Sequence, residues 1–109
     1  MCFACYTFIE ITIGMIRHSV IFRLKHPRDS KEEALFLERA KQLSGIPGVQ
    51  KFECLKQVNP KNKFDFGLSM EFENETLYQQ YNSHPDHAYF VQQYWLNEVD
   101  DFLEIDFRL

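Results

Sequence analysis

Cysteine, clustered basic charge and long hydrophobic runs are all scarce in this 109-residue chain. Each scarcity excludes something. The only cysteines are Cys2, Cys5 and Cys54. An odd count without a dense framework suits a reducing cytoplasm, where localisation is expected, rather than a secreted, disulfide-stapled domain. Cys2 and Cys5 have CxxC spacing. However, no second CxxC completes the roughly four ligands of a closed zinc site, and no βαβ unit follows as a thioredoxin-type site requires. The pair is read as two thiols of a terminal extension, and no metal site is expected. The twelve Lys and Arg residues are scattered over a chain of formal net charge −4. Without a basic stripe, nucleic acid is excluded as a partner. Met1–Gly14 is apolar but carries Glu10 and is too short to span a bilayer. It also lacks the basic n-region and small-residue cleavage site of a signal peptide, so no membrane partner is expected.

What the chain has in quantity is apolar and aromatic surface. Hydrophobic residues make up 45% and aromatic residues 16%, with 11 Phe and 5 Tyr. That much apolar surface excludes disorder, because it has to be buried. It also exceeds what one small domain easily hides, which points to an interface with a second copy. Residues 1–14 are read as an extension, as a start codon placed too far upstream would give, and 15–109 as the domain. Ile9, Ile11 and Ile13 alternate and would suit an added edge strand.

From Ile16 to Lys25 the pattern alternates, with His18, Val20, Phe22 and Leu24 on one face; period two marks a strand. His26-Pro27-Arg28-Asp29 ends it, and Ser30 with Glu33 forms a capping box for a helix carrying Phe36, Leu37, Ala40 and Leu43. Gly45 closes that helix. A second strand is predicted over about Val49–Val58 and a third over Phe64–Glu73. In the third, Phe64, Phe66, Leu68, Met70 and Phe72 share a face. Asn74 caps a helix carrying Leu77, Tyr78 and Tyr81. Ser83-His84-Pro85-Asp86 interrupts it, and Pro85 suits the first turn of the next helix. There His87, Phe90, Val91 and Tyr94 recur at i, i+3, i+4 and i+7. A last strand over about Phe102–Leu109 alternates, with Leu103, Ile105 and Phe107 expected on one face and Glu104, Asp106 and Arg108 on the other. The order is β-α-β-β-α-β, an α+β fold of ferredoxin-like type with a four-stranded antiparallel sheet and helices on one face. The other face mixes charge with small and apolar groups. It would suit self-association across a two-fold axis, with Arg23 and Glu71 as candidate charge pairs.

Four segments in this order resemble one family. They are Ile16-Arg17-His18-Ser19-Val20, Ile46-Pro47-Gly48-Val49, Phe64-Asp65-Phe66-Gly67-Leu68, and above all Tyr81-Asn82-Ser83-His84-Pro85-Asp86-His87, a Tyr-x-x-His-Pro-x-His signature. Over about Met15–Phe107 the chain resembles the stress-responsive dimeric A/B barrel (Dabb) family. The resemblance implies a homodimer whose two sheets pack into a dimeric α/β barrel. In a polyketide-cyclising member, which uses neither metal nor organic cofactor, the tyrosine and second histidine of the signature carry the chemistry. They correspond to Tyr81 and His87 here, and the opening-strand histidine to His18. A further strand histidine of that member corresponds to Phe66, a departure that speaks against the same cyclisation.

The candidate site residues follow. His87 shares an apolar helix face and is the candidate general base, since modest burial moves an imidazole across neutral pH. Tyr81 is the candidate hydrogen-bond donor to a developing oxyanion. His18, Phe66, Phe90 and Tyr94 are candidate ligand contacts, and no cofactor is expected. Against this stands a purely structural role, in which His87 and Tyr81 bond each other or the backbone to complete a polar spot in the core. His84 is expected to brace the helix break. Two functions stay open. One is a homodimer with a pocket for a small hydrophobic or aromatic ligand and cofactor-independent acid–base chemistry. The other is a non-catalytic stress-response or scaffold dimer. A cavity of a few hundred Å³ reaching His87 favours the first, and a filled core favours the second.

Overall fold

The computed structural model describes residues 14–109. The Cys2/Cys5 pair, the Ile9–Ile13 alternation and nearly all of the 1–14 extension lie outside the described residues. Strand β1 (Ile16–Leu24) leads into helix α1 (Lys31–Lys41), which tightens into a 3₁₀ turn (Gln42–Gly45). Strands β2 (Gln50–Lys56) and β3 (Phe66–Phe72) follow, then helices α2 (Glu75–Ser83) and α3 (Pro85–Phe90). Helix α3 runs on through a π-helical stretch (Val91–Trp95) and a last turn (Leu96–Glu98) into β4 (Val99–Arg108). All strand pairs are antiparallel, in the order β2-β3-β1-β4. This is the β-α-β-β-α-β ferredoxin-like arrangement. Among the described residues no helix is long and apolar enough to cross a membrane.

Local chemistry sets the helix boundaries. Ser30 Oγ accepts from the Glu33 N–H at 3.2 Å, and Glu33 Oε1 reaches back to the Asp29 N–H at 3.2 Å. The reciprocal cap thus closes one residue further out than a standard box, because the Ser30 N–H is taken by the Pro27 carbonyl at 3.3 Å. Asn74 Oδ1 accepts from the Leu77 N–H at 2.9 Å and starts α2. At the break, His84 is the N-cap of α3: its Nδ1 accepts from the Asp86 N–H at 3.1 Å, with Pro85 in the first turn. The bracing role expected of His84 is therefore what the structure shows.

The core lies between the sheet and the helices. Phe22, Phe36, Ala40 and Phe72 are fully buried there, with Leu68, Met70 and Tyr81 nearly so. Facing residues form rows across the strands, such as Lys56–Phe66–Phe22–Phe102 and Cys54–Leu68–Val20–Glu104. The second row corrects an expectation: Glu104 and Asp106 lie on the helix-covered side, and Leu103, Ile105 and Phe107 lie on the open side. The cause is one residue. Leu24 pairs with Val99 but Arg23 pairs with Asp101, so Asp100 is extra and every later side chain changes face. Arg23 holds the bulge, its Nε donating to Asp100 at 3.0 Å.

The open face is consequently apolar across its middle. Leu55, Gly67, Ile21 and Leu103 stand in one register row, and Ile105 and Phe107 continue the patch. Leu55, Leu103, Ile105 and Phe107 are all exposed. A Cβ on Gly67 would make only ordinary contact, 3.5 Å from Ile21 Cγ2. The candidate charges for pairing across a two-fold axis each have a partner within the chain. Arg23 bonds Asp100, and Glu71 bonds Arg17 at 2.6 Å and Lys51 at 3.5 Å. Lys51 reaches Glu71 from a left-handed conformation (φ 49°) at an irregularity in the β2 pairing.

Candidate functional site

Between the sheet and the second helical segment lies a cavity of about 270 Å³. Its floor is His18 and Val20 of β1, Leu68 and Met70 of β3, and Phe102 and Glu104 of β4; its roof includes Tyr81, His87, Phe90, Val91 and Trp95. The roof follows from the helix break. Pro85 restarts the helix after Tyr81, so Tyr81 closes α2 and His87 opens α3 side by side, their ring centroids 4.6 Å apart.

Tyr81 is 2% exposed, and its ring packs on Phe72 at 5.1 Å. Burial, and then the negative charge of Glu104, push its phenol well above the ordinary tyrosine range, so the group stays protonated. Its hydroxyl has no hydrogen-bond partner among the described residues. Since no buried polar side-chain atom there lacks a partner, it opens on the cavity. His87 is half-buried. Burial holds its pKa below the ordinary histidine value and the neighbouring His18 adds to the lowering, while the Asn82 backbone carbonyl and the Glu104 charge oppose it. A donor that stays protonated therefore lies against an imidazole that stays neutral.

A second polar group completes the floor. His18 is buried, and its Nδ1–H donates to Asp106 Oδ1 at 2.6 Å. The Tyr78 hydroxyl donates to Asp106 Oδ2 at 2.9 Å and lies 2.9 Å from His18 Nδ1. Burial and the Asp106 carboxylate raise the Tyr78 pKa, which keeps that hydroxyl a donor. With Nδ1 engaged, Nε2 is the nitrogen His18 presents to the cavity.

Four of the six residues singled out from sequence converge here: His18, Tyr81, His87 and Phe90. Phe66 and Tyr94 do not. Phe66 packs on Phe22 at 5.8 Å at the far end of the sheet and borders a cleft of about 520 Å³ beside Arg28 and Asn62. Tyr94 borders a cleft of about 550 Å³ between α1 and α3, with the Arg39 guanidinium 4.2 Å above its ring. The reason is the π-helical stretch, where the Leu96 N–H bonds the Val91 carbonyl five residues back. The wider turn carries Trp95 onto the cavity in place of Tyr94. Asp106 and Glu104 lie on the face opposite to the one their alternation suggests, and only the bulge at Asp100 puts them there. Tyr78 precedes Tyr81 by one helical turn, a spacing that already put both on one face.

Fold and site together define the class: a ferredoxin-like α+β domain with an imidazole–phenol pair over an apolar cavity. The model of the stress responsive A/B barrel domain family (Dabb) matches residues 16–109, and the chain belongs to that family. A solved Dabb-family protein from Mesorhizobium loti is 54% identical, with TM-score 0.85 over 86% of this chain and 95% of that one. A hydroxynitrile lyase from Passiflora edulis is 14% identical (TM-score 0.77; 89% of this chain and 94% of that one). A dimeric ferredoxin-like protein of unknown function from Thermobifida fusca is 19% identical (TM-score 0.73; 88% and 92%). The last two likenesses are of fold alone. No curated protein matches the chain.

Proposed function

We propose that this chain is a homodimeric, cofactor-independent acid–base protein that holds a small hydrophobic or aromatic ligand in the cavity under α2 and α3. The observation that carries the reading is the pairing of Tyr81 and His87, rings 4.6 Å apart, on an apolar cavity of about 270 Å³. A neutral imidazole is a competent general base at neutral pH, and a protonated phenol stabilises the oxyanion formed when a proton leaves carbon next to a carbonyl. In that scheme His87 takes the proton while the Tyr81 O–H donates to the enolate oxygen. The same residues return a proton to carbon, or the enolate bonds to another electrophile. Asp106 and Tyr78 hold His18 in the tautomer that points Nε2 at the ligand. Phe90 contributes to the roof, and no cofactor enters the scheme.

The dimer reading rests on the open sheet face. Leu55, Leu103, Ile105 and Phe107 leave an apolar patch that a monomer would expose to water, and a second copy covers it by symmetry. A cytoplasmic location fits the sparse cysteines. The domain is taken as residues 15–109.

Deuterium exchange at the α-carbon of acetophenone, followed by NMR in D₂O, tests the chemistry. Wild-type protein is expected to catalyse exchange, and His87→Ala to reduce it by about 100-fold or more. Equal exchange by wild type and His87→Ala sinks the base assignment. Light scattering tests the assembly: the wild type is expected at twice the chain mass and Leu103→Asp at the monomer mass. A monomeric wild type at all concentrations rules the dimer out.

A further inference from the structure

Several acidic groups of this domain are matched within the chain. Glu71 meets Arg17, Asp100 meets Arg23, Asp65 meets Arg28, Asp101 meets Lys63, and Glu98 meets His26. Asp106, behind the cavity-lining His18, is spent on His18 and Tyr78. Glu104 differs. It lines the cavity, yet makes no hydrogen bond or ion pair with any described residue. No Lys or Arg lines the cavity either. The carboxylate stands opposite Val20 in a row otherwise built from Cys54 and Leu68. It is solvent-exposed, which puts it at the rim. Beside it, two positions back on the same face of β4, is Phe102, whose ring meets the edge of Trp95 at 5.5 Å.

We infer that the ligand of this cavity carries a protonated amine, so that its class is a small aryl- or cycloalkyl-alkylamine with its ring inside and its ammonium at the rim. The inference deepens the proposed function and rests on its cavity reading. An unmatched carboxylate beside aromatic rings is the chemistry that recognises organic cations, since the carboxylate supplies the charge and the ring faces the quadrupole. Placing the ammonium at the rim keeps it partly hydrated and avoids the cost of burying it. The apolar interior takes the body. A cavity of about 150 Å³ holds benzene, so 270 Å³ accommodates a ring with a short chain. Carboxylate ligands are disfavoured by the same Glu104 charge, which already reaches inward far enough to raise the Tyr81 phenol. His87, kept neutral by burial, presents no opposing positive charge to the ammonium.

Trp95 is the sole tryptophan and lines the cavity, so its fluorescence reports occupancy directly. Titrations with benzylamine, benzyl alcohol and benzoate are expected to rank in that order. The amine should bind about fivefold to tenfold tighter than the alcohol, and the preference should shrink with added salt. Glu104→Gln should bring the amine-to-alcohol ratio to about one, and Glu104→Lys should invert the preference toward benzoate. If benzyl alcohol binds wild type as tightly as benzylamine, or Glu104→Gln keeps the preference, the amine inference is overturned and the cavity reading stands. If no probe moves Trp95 fluorescence, the cavity reading itself fails.

Discussion

Two groups of aromatic rings lie under the helices, and they differ in kind. One is Phe22, Phe36, Phe66, Phe90 and Trp95, with centroids 5.1–6.3 Å apart and Phe22 and Phe36 fully buried. Its members interlock by shape, and only the Trp95 indole carries a polar atom. The other is Phe72, Tyr78, Tyr81, His18 and His87, at similar spacings of 4.6–6.3 Å. Each of its members except Phe72 carries a polar atom that needs a partner or a purpose. The cavity opens where the two groups meet. The first group should therefore be intolerant of lost volume. The second should be intolerant of lost hydrogen bonds, except at positions whose polar atom faces the cavity.

The largest effect is expected in the closed group. Phe36→Ala should destabilise the domain by about 3–5 kcal/mol in denaturant unfolding, the cost of lost burial plus the void it leaves. A loss near 1 kcal/mol would mean that this group is no better packed than the other. In the polar group, Tyr78→Phe keeps the ring and removes the hydroxyl from Asp106 and His18. That should cost about 1–2 kcal/mol, because a charge-assisted bond is lost. A smaller, pH-dependent term belongs to His87. Its folded pKa lies below the unfolded value of about 6.5, so over that interval the unfolded chain binds the extra proton. The His87 contribution should be intact above about pH 6.5 and be lost as pH falls below it, and His87→Gln should flatten that slope. The smallest change is expected for Tyr81→Phe, whose hydroxyl has no partner among the described residues to lose. Its stability should shift by less than about 0.5 kcal/mol while acetophenone exchange falls. A large loss of stability in Tyr81→Phe would return this residue to a purely structural role.

Much of the frame was legible in the residues. Period two in Ile16–Leu24 and Phe66–Phe72, Ser30 and Asn74 as caps, and Pro85 after a break each act over a few residues, and each appears where expected. The convergence of Tyr81, His87, His18 and Phe90 was legible too, because strand alternation and the helix break constrain those positions locally. Phe66 lies away from the cavity, since sharing a face does not say how far along the strand a residue lies from the site. Tyr94 lies off the cavity because of the π-turn, which looks the same as an α-turn in a short pattern. For β4, alternation alone left two choices, and the apolar set Leu103, Ile105 and Phe107 is the natural one to put inside.

What the sequence by itself determined is therefore the element order, the caps, and which side chains share a face within each element. These depend on propensities and hydrogen bonds between near neighbours. Only the tertiary structure decided which face of β4 meets the helices. A single extra residue at Asp100, held by Arg23 77 positions away in the chain, exchanges the two faces. That exchange brings Asp106 to His18, sets Glu104 at the cavity rim and turns an apolar row outward. Register is a relation between strands, and it is settled only when both are present.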